Sequence, residues 1–184
     1  MNARGVVVDL SHVGEQSALD AIEASRQPVI FSHSGCYALC PHPRNVSDRN
    51  IRAMAERGVF CAYNQSGWLT QDPTISIDHY LAHVARVIDL AGEDHVGVGT
   101  DQDAVDMTAM RPGEAERHQA TFDRRRAQYP QLTWQVRHMR VPELSHPKRF
   151  LHLADAMHAR GYAARRIEKI LGGNYARVFR ETAV

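Results

Sequence analysis

The chain has 184 residues, of which 43% are hydrophobic and 23% charged, and its formal net charge is +1. This length suits one domain with a sizeable core and is short for two domains of ordinary size. The near-neutral charge gives no electrostatic reason to expect a nucleic-acid partner, so we expect a small-molecule ligand. No apolar run approaches the roughly 20 residues that a membrane span needs, and we predict no such span.

Cysteine content and the N-terminal sequence indicate the compartment. Three cysteines in a chain of this size argue against a disulfide framework. The first residues, MNARG, lead directly into a strand pattern and not into the apolar region of a signal peptide. We therefore expect a cytoplasmic protein.

The first half of the chain alternates strand and helix patterns. Branched apolar runs predict strands at 6–10, 29–32, 59–64 and 95–101, and amphipathic patterns predict helices at 15–25, 48–57 and 77–91. Ser47 is the expected N-cap of the second helix, while Gly58 and Gly92 follow the ends of the second and third. Strands joined by crossover helices form a parallel sheet, either open and doubly wound or part of a (β/α)8 barrel.

The second half differs in character. Residues 105–149 are polar and arginine-rich with several prolines, which predicts an insertion or lid, within which LTWQVRHM is ambiguous. Helical patterns return at 150–160 and 163–171 and in the final NYARVFRETA. We expect residues 1–184 to form a single domain, and four strands amount to half of an eight-stranded barrel of about 250 residues.

Two of the predicted strands end on the same dipeptide, Ser11-His12 and Ser32-His33. Neutral imidazole is a good zinc ligand, and neighbouring parallel strands bring their carboxyl ends together. One histidine from each strand can therefore reach a shared metal ion. The alternative for each histidine is a hydrogen-bonded structural residue.

Asp101 follows the fourth strand in GVGTDQD. A carboxylate at this position can take a proton from a metal-bound water and return it to a leaving amine. The alternative is a cap on a following helix, a role that also suits Asp103. The glycines do not complete the G-x-G-x-x-G pattern of dinucleotide-binding proteins.

Two further features lie in the loop after the second strand. Arg44 carries a guanidinium suited to a bidentate grip on a carboxylate, although many loop arginines are simply solvated. Cys36, Cys40 and His42 do not have the spacing of a usual zinc cluster, so we expect buried thiols here.

Four blocks together resemble the membrane (renal-type) dipeptidases, peptidase family M19, of the metal-dependent amidohydrolase superfamily. The blocks are GVVVDLSHVG, PVIFSHSGCYALCPHPRNVSD, DHVGVGTDQD and ILGGNYARVFRE, in the order and at roughly the spacing of that family. The resemblance implies an α/β fold of parallel (β/α) units that form the C-terminal half of a TIM-type barrel.

The resemblance also implies an activity and residue roles. Members of the family use two zinc ions to hydrolyse dipeptides and related small amides. By resemblance His12 and His33 hold the second zinc, Arg44 binds the C-terminal carboxylate of the substrate, and Asp101 handles the proton of the attacking water.

The chain departs from the family pattern in two places. The family carries an H-x-D pair and a bridging glutamate upstream of the DLSH strand, whereas none of the eleven histidines here begins an H-x-D. At most one partly liganded zinc site is therefore evident. The usual DFDG is DQDA here, with Gln102 and Ala104.

These features leave several hypotheses. The first is a zinc-dependent dipeptidase, completed by a second copy of the chain or by a separate N-terminal half. The alternative is a catalytically incomplete remnant that binds metal or a partner chain without turnover. An intermediate hypothesis is a hydrolase with one zinc ion held by His12, His33 and Asp101. A third hypothesis is an open α/β nucleotide-binding domain.

Overall fold

The four strands form one parallel sheet in the order β1-β2-β3-β4. The computed structural model describes residues 1–56, 58–63, 69–70, 72, 75–101, 112–128 and 141–182. The strands are β1 (Val8–Asp9), β2 (Val29–Ser34), β3 (Gly58–Tyr63) and β4 (Val96–Gly99). The predicted α/β class with a parallel sheet is confirmed.

Helices connect the strands and follow the sheet. They are α1 (Glu15–Ala24), α2 (Asp48–Ala55), α3 (Ile77–Ala91), α4 (Glu114–Gln128), α5 (Arg149–Ala159), α6 (Ala164–Glu168) and α7 (Asn174–Thr182). Short 3-10 turns cover Asn2–Arg4, Glu93–His95 and Pro142–Leu144, and a π-helical turn covers Lys169–Gly173. Ser47 caps α2 as predicted, since its side chain accepts a hydrogen bond from the Asn50 amide.

The strand order separates two of the predicted architectures. Each crossover moves the chain one strand further in the same direction, so right-handed crossovers place their helices on one face of the sheet. A doubly wound sheet reverses its strand order at a switch point, where nucleotides bind. Within the described strands there is no reversal, and the order is that of consecutive barrel strands.

The strand bounds differ from the sequence prediction at all four strands, and β4 covers Val96–Gly99 instead of 95–101. β1 is shorter than the predicted 6–10, because the Ser11 amide bonds to the Asp9 side chain and the chain turns there. β2 continues to Ser34, so His33 lies within this strand and not after it. β3 begins one residue early, and Asn64, which was predicted to end it, lies outside the described residues.

The main core lies between the sheet and its connecting helices. Its largest fully buried side chains include Phe31, Ile51, Met54, Tyr80 and Leu81. Gly58 begins β3 beside the Val29 carbonyl, and a Cβ there would lie 2.0 Å from that oxygen. Only glycine lets the two strands approach this closely.

The predicted insertion contains one described helix, α4, whose side chains are exposed or half-buried where they are described. LTWQVRHM lies outside the described residues. After α5, the predicted helix 163–171 is instead α6 followed by the π-helical turn, because the chain kinks at Gly172. In the described part of the chain, no helix has the length and apolarity to cross a membrane.

Candidate metal and substrate site

His12 lies in a tight turn directly after β1. The turn is closed by the Val13 amide, which donates to the Leu10 carbonyl at 3.2 Å. His12 is the third residue of this turn and has a φ of 68°, a conformation that glycine usually supplies. A histidine held in the left-handed region is uncommon, and such residues concentrate at functional sites.

His33 lies at an irregularity in β2. Phe31 pairs with Phe60 and Ser34 pairs with Ala62, so β2 has one residue more than β3 between these pairs. Ser32 and His33 occupy this β-bulge. Bulges change the direction of side chains and are common beside active sites.

Three of the predicted site residues converge at the carboxyl ends of β1 and β2. The Nε2 atoms of His12 and His33 lie 2.9 Å apart, and the two rings meet edge to face with centroids 4.9 Å apart. Arg44 Nη2 lies 2.9 Å from His12 Nε2 and donates to it. The sequence prediction placed these residues together, and the structure brings them into direct contact.

The loop that carries Arg44 is held by its own hydrogen bonds. Val46 donates to the Gly35 carbonyl and Tyr37 donates back to Val46, while Asn45 Nδ2 donates to the Cys40 carbonyl at 2.8 Å. These bonds fold the segment back onto the end of β2. The arginine therefore reaches the histidines from an ordered loop.

Asp101 lies two residues after β4 and is exposed. Its φ is 45°. Asp101 and His12 are the two non-glycine residues with a left-handed backbone among those described. Asp101 lies close enough to His12 for its charge to raise the pKa of that imidazole. The alternative role of Asp101, as the cap of a following helix, concerns residues 102–111, which include Asp103. These residues lie outside the described part of the chain.

The charges around His12 favour its neutral form. Burial lowers the pKa of His12, and the positive charge of Arg44 and the nearby His33 lower it further. Asp101 and Asp9 oppose this effect only in part. A neutral imidazole keeps the lone pair that a metal ion or a proton would need.

Asp9 organises the polar groups between the two strands. Burial raises its pKa, but hydrogen bonds from Ser32 and Ser11 outweigh burial and hold the pKa below its usual value. Ser32 Oγ donates to Asp9 Oδ2 at 2.5 Å and lies 2.7 Å from His33 Nδ1. Our sequence analysis missed Asp9 and Ser32, although both stand in the quoted blocks that carry the histidines.

A cavity of about 490 Å³ opens beside the histidines. His12, Glu15, Tyr37, Arg44 and Asn50 contribute polar lining, with Leu10 and Phe31 at its apolar wall. His33 and Asp101 are not among its lining residues. The cavity has the size of a small-molecule site.

The predicted buried thiols are confirmed. Cys36 and Cys40 are free and buried, and burial raises the pKa of the Cys36 thiol to about 12. Burial, with the charge of Arg44, lowers the pKa of His42 to about 4. His83 carried no sequence signal, yet it is fully buried, accepting from the Cys36 amide at 2.8 Å and bonding the Leu69 carbonyl.

The donor set fits part of a zinc centre. Two nitrogen ligands at about 2.0 Å from a tetrahedral zinc lie about 3.3 Å apart, close to the arrangement of His12 and His33. In the described part of the chain, no three His, Cys, Asp or Glu side chains form a group that could hold a metal ion. The structure does not gather Asp101 with the two histidines into such a group, so the three-ligand site that includes Asp101 stays a hypothesis.

Arg44 adds a constraint on metal binding. Its guanidinium donates to His12 Nε2, the same lone pair that a zinc ion would take. The guanidinium must therefore leave this nitrogen when a metal ion binds. With the guanidinium displaced, the two histidines would supply half of a tetrahedral ligand set.

Comparison with known proteins places the chain in a family. Residues 1–119 match the model of membrane dipeptidase, peptidase family M19. The chain is 32% identical over 183 residues to the dipeptidase tcpJ of Claviceps purpurea, which covers 98% of this chain and 36% of that protein. It is 37% identical over 108 residues to a dipeptidase of Schizosaccharomyces pombe.

Solved structures give the same result for the fold. An amidohydrolase from Pseudomonas aeruginosa is 26% identical and has a TM-score of 0.79. The match covers 100% of this chain and 54% of the amidohydrolase chain. A metallo peptidase from Rhodobacter sphaeroides, liganded with a phosphinate mimic of the dipeptide L-Ala-D-Ala, is 22% identical with a TM-score of 0.74, covering 98% and 44%. The chain thus spans about a third of the first curated relative and about half of these structures.

Proposed function

The chain belongs to the membrane dipeptidase family, peptidase family M19, and on that premise we propose that it is the C-terminal half of a zinc-dependent dipeptidase barrel. The observation that carries the proposal is the contact of His12, His33 and Arg44 at the carboxyl ends of adjacent parallel strands. In (β/α)8 barrels this end of the strands carries the chemistry. The consecutive strand order supports the barrel part of the proposal.

The proposed substrates are dipeptides or related small amides. His12 and His33 would hold zinc, which when bound supplies an activated water and polarises the substrate carbonyl. Arg44, which lines the cavity of about 490 Å³, anchors the free carboxylate of the substrate. Asp101, exposed beside His12, takes the proton of the attacking water and gives it to the leaving amine.

Each of these residues also acts through orientation. Arg44 must leave His12 Nε2 for a metal ion to bind there, and its guanidinium is then available to engage the substrate carboxylate. The left-handed backbone at His12 and Asp101 fixes the direction in which each side chain leaves the main chain before any ligand binds. The bond that breaks is the peptide bond, and the products are two amino acids.

Completion of the site requires more ligands than the two histidines. We propose that a second copy of the chain or an N-terminal half supplies them. This is supported by the sheet edges, because β1 and β4 each pair with one strand among those described. Cytoplasmic location is also proposed, supported by the free thiols of Cys36 and Cys40.

The test is hydrolysis of a panel of small dipeptides by the purified 184-residue chain with added zinc. If a second copy of the chain completes the site, we expect turnover that His33→Ala abolishes, because one of the two nitrogen ligands is lost. His152→Ala is the matched control, since it removes one ring of a second pair of contacting histidines, His146 and His152. Absence of turnover from a folded chain would contradict activity of this chain by itself, and equal rates for His33→Ala would contradict the assigned site.

A further inference from the structure

Hydrogen bonds link three side chains in series, from Asp9 on β1 through Ser32 to the imidazole of His33. Asp9 Oδ1 accepts from the Ser11 amide at 2.9 Å and from the Ser32 amide at 3.1 Å. Its other oxygen lies 2.5 Å from Ser32 Oγ, which in turn lies 2.7 Å from His33 Nδ1. The His33 amide donates to Ser11 Oγ at 3.0 Å, so the backbone of this histidine is held as well.

A count of protons assigns the direction of each bond. Ser32 has one hydroxyl proton, and an ionised carboxylate only accepts hydrogen bonds, so Ser32 donates to Asp9. The hydroxyl oxygen can then only accept from His33, which requires the proton of the neutral imidazole to be on Nδ1. In the neutral imidazole the lone pair of His33 is then on Nε2, 2.9 Å from His12 Nε2. Arg44 donates to that His12 nitrogen, so neither imidazole donates a proton across this contact.

We propose that Asp9 and Ser32 are positioning residues that fix His33 in the Nδ1–H tautomer and aim its Nε2 lone pair at the point shared with His12. The inference rests on the proposed function for its purpose, because that lone pair is a metal ligand there. Metal-binding histidines commonly donate their second ring N–H to another group, which sets their tautomer and orientation. Here the acceptor is a serine hydroxyl, itself oriented by a carboxylate on the neighbouring strand.

The first test reads the tautomer without any metal. Long-range ¹H–¹⁵N correlation spectra of the histidine rings distinguish the two neutral tautomers, and the His33 signals are assigned by their loss in His33→Gln. We expect Nδ1–H in the wild-type chain. In Ser32→Ala the acceptor is gone, so we expect His33 to shift toward Nε2–H, and Ser32→Thr, which keeps a hydroxyl, restores the wild-type spectrum.

The second test measures zinc affinity by calorimetry on the same folded variants. Removal of the group that orients a metal-binding histidine typically lowers metal affinity about 10- to 100-fold, and we expect that decrease in Ser32→Ala. Ser32→Thr should recover the wild-type affinity. Ser17→Ala is the matched control, because Ser17 is exposed on α1 and its removal should leave the affinity unchanged.

The outcomes separate this inference from the proposed function. An Nε2–H tautomer of His33 in the wild-type chain would overturn the inference, and so would equal zinc affinity of Ser32→Ala and the wild type. Failure of the wild-type chain to bind zinc, with Nδ1–H observed, would instead overturn the metal site. The tautomer is read on the wild-type chain, so this test stands even if Ser32→Ala fails to fold.

Discussion

The two ends of the sheet carry polar clusters of opposite kinds. At the amino end of β4, the amino-end cluster consists of Glu93, Arg166, Lys169 and Asn174. Arg166 and Lys169 contact the Glu93 carboxylate at 2.7 and 2.8 Å, and these hydrogen bonds lower its pKa to about 2. Every charge in this cluster meets an opposite charge, and the bonds join segments more than 70 residues apart.

The carboxyl end is built differently. His33 and Arg44 both lie within hydrogen-bond distance of His12, so three basic groups crowd together. His12 and Asp101 there hold left-handed backbone conformations, which cost free energy in residues other than glycine. The comparison teaches that the amino end serves stability, whereas the carboxyl end is arranged for a ligand.

The largest effect is expected where the amino-end cluster is broken. Asn174 is buried, and its Nδ2 donates to the carbonyls of Glu93 and Val96 at 2.7 and 2.8 Å. Asn174→Ala would leave both acceptors unsatisfied, so we expect the free energy of unfolding to fall by about 2 to 4 kcal/mol. Urea denaturation followed by circular dichroism measures this change.

A surface amide provides the control for Asn174. Gln16 donates to Asp20 at 2.8 Å on exposed α1, and Gln16→Ala should change the stability by no more than about 0.5 kcal/mol. Zinc affinity of the folded fraction of Asn174→Ala should remain that of the wild type. If Asn174→Ala lost zinc affinity without losing stability, the amino end would be the ligand-binding end, contrary to our assignment.

A smaller difference in stability is expected at the carboxyl end, where glycine should stabilise the fold relative to alanine. His12→Gly and His12→Ala both remove the imidazole, but only glycine relieves the φ of 68°. We expect the glycine variant to be more stable than the alanine variant by about 1 kcal/mol, measured by thermal unfolding. Both should lose zinc binding. Equal stabilities would show that the left-handed conformation at His12 carries no strain.

Much of the fold could be read from the sequence because it depends on local pattern. Branched apolar runs and amphipathic stripes identified four strands and three connecting helices, and glycines marked their ends. His12 and His33 could be grouped because parallel strands bring their carboxyl ends to one edge, whereas Arg44 joined them only through the family resemblance. The resemblance to a known family added the residue roles.

Other features depend on contacts that local pattern does not encode. The bulge at Ser32 and His33 exists only against the register of β3, and the shortness of β1 depends on the Asp9 side chain. Asn174 and Glu93 are 81 residues apart, so their bond had no sequence signal. Strand order does not give distance across the sheet either, so the sequence could not decide whether Asp101 joins the two histidines as a metal ligand.

The most direct test of the account is a calorimetric zinc titration of the full chain, beside His33→Ala and His152→Ala. The account predicts saturable binding by the wild-type chain, retained in His152→Ala and weakened at least about 100-fold in His33→Ala, with the stability of the fold unchanged. This is the result expected if the two converging imidazoles hold the metal. Zinc binding that survives His33→Ala, or that vanishes in His152→Ala, would contradict it.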